Sequence, residues 1–181
     1  MSRTIEAGSS HPPVNQADRE PAHSTHEMMN TLVAEYASAK SRQDVDAALR
    51  VCTDDFLLYA EAFHSTARGA ADVRRQLKYF FKVFPDYGVV LEGSGMNDYG
   101  LTCWGTVRMT MKTRLAFWAP TGQTMELPFL CLYTFTDGRI SSERFFFSQE
   151  LMCRQLGLPH GAFRTVVRLA SYLPVRLQVI F

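Results

Sequence analysis

Residues 128–158, PFLCLYTFTDGRISSERFFFSQELMCRQLGL, decide the reading of this chain. Two apolar, β-rich runs flank Asp137-Gly138, and a short helical pattern follows. A two-residue type I′ turn needs positive φ at both central positions, which Asp-Gly supplies, so the stretch reads as a long hairpin. With that turn alone, Phe135 faces Ile140, Tyr133 faces Ser142, Cys131 faces Arg144 and Phe129 faces Phe146. Side chains alternate along a strand. Tyr133, Ser142, Arg144, Phe146 and Ser148 are therefore expected on one face, and Leu132, Glu143, Phe145 and Phe147 on the other. Both faces carry large apolar groups, so both are expected to be covered. An arginine among aromatics needs an acceptor, which makes the Arg144 face the expected pocket.

The 181 residues are 46% hydrophobic and 20% charged, with a formal net charge of +1. That composition suits one globular domain and gives no electrostatic drive toward nucleic acid. Thirteen Phe, seven Tyr and two Trp suit a sheet around an apolar cavity, or a well-filled core. The four cysteines, Cys52, Cys103, Cys131 and Cys153, form no CxxC pair, so neither a zinc site nor a disulfide framework is expected. No run has signal-peptide or transmembrane character, and a cytoplasmic setting is the expectation.

Residues 1–23 are polar and proline-containing and read as a disordered tail. From about Ser24 to Ser41, apolar residues recur at helical spacing. A second short helix follows Asp44, and FLLYAEAF reads as a strand, with Tyr59 and Glu61 on one face. STARG reads as a loop leading to a third helix that ends at Phe84-Pro85-Asp86. Four long strands follow, one of them bulged at Gly105. Helices first and antiparallel strands later indicate α+β. The domain is placed at residues 24–158. Residues 159–181 form an apolar, basic C-terminal arm, read as a lid or dimer arm or, alternatively, as a membrane or partner contact.

The strings DDFLLYAEAFHSTARGAADV, Phe84-Pro85-Asp86, Pro120-Thr121-Gly122 and DGRISSERFFFSQELMCRQLGL, in this order, resemble the SnoaL-like polyketide-cyclase group of the NTF2-like superfamily. The resemblance spans roughly residues 27–158. It implies an NTF2-like (cystatin-like) cone, a curved antiparallel sheet wrapped around three N-terminal helices and enclosing one apolar pocket. It further implies cofactor-free acid/base chemistry, namely cyclisation, isomerisation or dehydration of a polyketide-, terpenoid- or steroid-like molecule, and homodimers formed through the sheet. Non-catalytic binding proteins and interaction scaffolds share this fold. The chain departs from the pattern at Ser148, where an acid/base aspartate is common, and at Phe146, where a tyrosine is common. A serine hydroxyl does not serve as a base near neutral pH.

The expected catalytic set is therefore Glu61 and His64 as proton carriers, with Tyr59 and Arg144 steadying an oxyanion. Tyr133, Phe146, Ser148, Phe129 and Trp104 are the expected substrate-binding residues. Rim, turn and core roles compete for each of them, and for Arg144 a structural ion pair with Glu61 or another acid is the leading competitor. Expected partners are a small hydrophobic molecule and a second copy of the chain; no nucleic acid, metal or cofactor is expected.

Overall fold

The structure, a computed structural model, describes residues 16–170. In chain order it contains α1 (Gln16–Ser41), α2 (Val45–Arg50), β1 (Cys52–Ala60), a 3-10 turn (Glu61–Phe63), β2 (Ser65–Arg68) and α3 (Gly69–Val83). These are followed by β3 (Gly88–Asn97), β4 (Gly100–Thr110), β5 (Thr124–Thr136), β6 (Arg139–Phe147), α4 (Gln149–Leu156) and α5 (His160–Ala170). The six strands form one curved, open sheet in the order β2-β1-β6-β5-β4-β3. All neighbours are antiparallel except β1 and β6, which run parallel. This is the expected α+β architecture, with α1, α2 and α3 packed on the sheet.

Local chemistry sets the boundaries. Asp44 caps α2 by accepting the Ala47 N–H at 2.9 Å. β1 begins at Cys52, four residues before the expected strand FLLYAEAF, and STARG supplies β2 instead of a loop. α1 begins at Gln16, so residues 16–23 of the expected tail are helical; the remainder of that tail and residues 171–181 of the arm lie outside the described residues. The bulge expected at Gly105 falls on the opposite strand, where the β3 register shifts between Leu91 and Gly93. Gly105 permits the close approach there, since a Cβ would lie 2.0 Å from the Val90 carbonyl oxygen.

The hairpin corrects the expected faces. Asp137 and Gly138 do take positive φ, 50° and 69°, and Phe135 does pair with Ile140. Beyond that pair the register slips by one: Thr134 pairs with Ser142, Tyr133 with Glu143, Leu132 with Arg144 and Cys131 with Phe145. Ser141 is the extra residue of a bulge, and the Thr134 hydroxyl holds it, with hydrogen bonds to the hydroxyls of Ser141 at 2.8 Å and Ser142 at 2.6 Å. A one-residue slip sends every later side chain to the other face. Glu143 and Phe145 therefore join Tyr133, Cys131 and Phe129 in the core, while Arg144 and Phe146 turn outward with Leu130 and Leu132.

The core fills the inner face of the sheet. Val33 and Tyr36 from α1, Val73, Leu77 and Phe81 from α3, and Leu101, Val107, Leu127 and Ile140 from the strands are all buried. α5 adds Phe163, whose ring lies 5.1 Å from Trp118 and 6.2 Å from Phe63. No helix among the described residues is long and apolar enough to cross a membrane.

Candidate functional site

Two oppositely charged side chains meet in the core. Val33, Tyr36 and Lys40 recur at helical spacing on α1, so Lys40 rides the face that packs on the sheet. The bulged register brings Glu143 to the same place from β6. Lys40 Nζ lies 3.0 Å and 3.1 Å from the two Glu143 carboxylate oxygens. Glu143 also accepts the Tyr36 hydroxyl at 2.7 Å, the Tyr133 hydroxyl at 3.3 Å and the Cys131 thiol at 3.6 Å. A buried carboxylate tolerates its burial only when paired and hydrogen-bonded in this way.

Burial alone would drive the Lys40 ammonium toward its neutral form. The Glu143 charge outweighs that effect, and the net shift keeps Lys40 protonated above the ordinary lysine range. The ammonium also lies over aromatic rings, 4.8 Å from the centre of Tyr36 and 5.5 Å from that of Phe145. Burial, then the Glu143 charge, pushes the Tyr36 hydroxyl upward; burial also raises Tyr133. Both phenols stay protonated and serve as donors.

A cavity of about 70 Å³ opens between α3 and the inner face of the sheet. Leu58, Ala60, Phe63, Phe80, Phe84 and Phe145 make its walls, and Lys40 and Tyr87 also belong to its lining. An adjoining smaller cavity is lined by Lys40, Tyr87 and Phe145 as well, and there by Glu143, Tyr133, Cys131 and Phe129. Tyr87 is 3% exposed, and its hydroxyl has no hydrogen-bond partner among the described residues. Burial pushes it above the ordinary phenol range, so it too remains a donor. The site is an apolar cavity whose lining includes Lys40, its ammonium held by Glu143, and Tyr87, whose hydroxyl is unengaged. Such a pair can bind and polarise a ligand oxygen.

The structure divides the residues expected from sequence into separate places. Tyr133 and Phe129 line the smaller cavity. Tyr59, Glu61, Arg144 and Phe146 come together on the outer face: the Arg144 guanidinium bonds Glu61 at 2.5 Å and lies over the rings of Tyr59 at 5.4 Å and Phe146 at 5.6 Å. The expected Arg144 pocket is thus an outer-face cluster. Trp104 is also on the outer face, 43% exposed, with its ring over Gly93, where a Cβ would come within 2.4 Å of it. Ser148 caps α4, its hydroxyl accepting the Leu151 N–H at 3.1 Å. His64 closes the 3-10 turn in a left-handed conformation, φ 46°, and does not line the cavity.

Lys40 and Tyr87 went unassigned in the sequence reading, Tyr36 counted only toward the apolar helical pattern, and Glu143 was placed on the face opposite the expected pocket. A signal for two of them was present: a lysine on the apolar stripe of α1, and a glutamate in an aromatic strand.

A curved open sheet wrapped around helices, with an apolar cavity inside, defines the NTF2-like class of proteins. The profile of the SnoaL-like domain matches residues 33–143, more than half of the chain, and the chain belongs to that family. Among solved structures, AclR of Streptomyces galilaeus, assigned as a hydroxylase, is 21% identical, with a TM-score of 0.62 over 75% of this chain and 99% of that one. A protein of Jannaschia sp. CCS1 assigned as a SnoaL-like polyketide cyclase is 16% identical, with a TM-score of 0.66 over 74% of this chain and 94% of that one. A Catenulispora acidiphila protein with a ketosteroid isomerase-like fold, solved with trimethylamine, is 15% identical, with a TM-score of 0.64 over 72% of this chain and 95% of that one. No curated protein is similar enough in sequence to match.

Proposed function

We propose that this chain is a cofactor-free acid/base enzyme, a cyclase, isomerase or dehydratase, acting in the cytoplasm on a small hydrophobic, carbonyl-bearing molecule of polyketide, terpenoid or steroid type. The observation that carries the reading is the buried Lys40–Glu143 pair beside an apolar cavity. Ion pairs of this kind are costly to bury, and a well-packed apolar pair would serve stability as well or better. Lys40 and Tyr87 polarise the carbonyl oxygen, which acidifies the adjacent C–H. Glu143, the carboxylate lining the adjoining cavity, accepts the proton. The negative charge then passes from Glu143 to the enolate oxygen, and Lys40 faces one anion throughout. Cyclisation by aldol closure and double-bond isomerisation both pass through such an enolate.

The cavity takes a small molecule, or one end of a larger one whose remainder occupies the mouth. The chain works as a homodimer through the outer face of the sheet, where Val90, Trp104 and Leu130 are exposed beside Phe146. A second reading, binding without turnover, has a specific observation in its favour: the main cavity itself is lined by no carboxylate or imidazole. Solvent-deuterium uptake next to the carbonyl of small ketones separates the two. The enzyme reading expects uptake above the buffer rate, and saturable binding without uptake supports the second.

A further inference from the structure

We propose that the cavity selects an uncharged oxygen acceptor and rejects the carboxylate of the same shape, and that the Glu143 charge determines this selectivity. The inference rests on the reading of the cavity as the ligand site and goes beyond it by assigning the charge that the ligand must carry.

The donors available to a ligand are known. An ammonium carries three N–H groups, and the two Lys40 contacts given above both go to Glu143. One N–H therefore remains for a ligand, together with the unengaged Tyr87 hydroxyl. Two donor-bearing residues in one apolar lining suit one oxygen with two lone pairs. The electrostatics decide which oxygen. The Lys40 charge is already balanced by Glu143, so the pair is neutral as a unit. An anionic ligand would bury a net negative charge and sit against the Glu143 carboxylate with no second cation to offset it. The other polar groups of the cavity lining, Ser65, Gln76 and Tyr79, are uncharged, and like charges brought together in a low-dielectric site are strongly disfavoured. A ketone, aldehyde or amide oxygen presents only partial charge and leaves the pair intact.

Neutralising Glu143 should reverse the preference. With glutamine at this position, Lys40 becomes an unbalanced cation beside the cavity, and a carboxylate becomes its natural partner.

The test titrates the full chain with acetophenone and with benzoate, a methyl ketone and a carboxylate of nearly equal shape, by calorimetry at neutral pH. The wild type is expected to bind acetophenone at least about tenfold more tightly than benzoate. Glu143→Gln is expected to bring benzoate level with acetophenone or ahead of it. Tyr87→Phe, which keeps the ring packing, is expected to weaken acetophenone binding about tenfold. Equal wild-type affinities, tighter binding of benzoate, or an unchanged ratio in a folded Glu143→Gln variant would overturn the inference while leaving the cavity as the ligand site. Failure of both compounds to bind would overturn that reading as well. If Glu143→Gln does not fold, the wild-type ratio and Tyr87→Phe still decide.

Discussion

Lys40 Nζ on α1 and the Glu143 carboxylate on β6 lie 3.0 Å apart, with their side chains 8% and 1% exposed. The pair joins a helix to the sheet in the interior. Removing one partner leaves the other charged, buried and alone. Lys40→Met should therefore lower unfolding stability by about 3–5 kcal/mol, and adding Glu143→Leu to it should restore most of the loss. Denaturant unfolding of the two variants measures both effects. A single variant as stable as the wild type would mean that the pair is weakly coupled.

The same pair gives a pH dependence of known sign. The native Lys40 holds its proton more tightly than the unfolded chain does. Its contribution is complete below the ordinary lysine value of about 10.4 and is lost as pH rises through the higher native value. Burial pushes the thiols of Cys103 and Cys153 up to about 11 and that of Cys52 to about 12. Unfolded thiols ionise from about 8.5, so each of these also withdraws stability as pH rises above that point. Thermal midpoints should fall progressively above pH ~8.5, and the four buried thiols should resist alkylation at pH 8 until the chain unfolds. Rapid native labelling would contradict the packing.

Ser148→Ala should cost about 1 kcal/mol through loss of the α4 cap and should leave ligand binding unchanged. Chemical denaturation reads the first effect and calorimetry with acetophenone the second. A large loss of binding with stability intact would return Ser148 to the site.

The outer face should bring two copies together. Trp104, Leu130 and Phe146 occupy neighbouring positions across β4, β5 and β6, paired Trp104 with Leu130 and Leu130 with Phe146. Leu130→Glu places a charge in the middle of that row. Sedimentation should show a wild-type dimer and a Leu130→Glu monomer; a monomeric wild type would remove the dimer from the account.

Much of the fold was legible because its signals are local. Asp137-Gly138 fixed the hairpin turn, Pro85 ended α3, and the order of helices and strands fixed the class. The site was less legible because one residue shifted it. The turn and the first pair, Phe135 with Ile140, were read correctly, but nothing in Ser141-Ser142 announces which serine is extra. The bulge depends on the Thr134 hydroxyl bridging both, a contact that exists only after the strands have paired. That slip exchanged Arg144 for Glu143 as the inward residue and moved the expected pocket to the wrong side of the sheet. The Arg144–Glu61 contact forms because β1 and β6 lie side by side, while Tyr133, on the unbulged strand, faces the smaller cavity on the side that Arg144 has left.

Proton transfer next to a carbonyl is expected to take place in the cavity beside Lys40 and Glu143. Proton NMR of 2-indanone in deuterated buffer, with wild type and with Ala60→Phe, tests it most directly. Ala60 lines the cavity, and a phenylalanine there fills it; a thermal melt establishes that the variant folds. Deuterium uptake is expected well above the buffer rate in the wild type and at the buffer rate in folded Ala60→Phe. Equal uptake in both proteins, or none above buffer in the wild type, would contradict it.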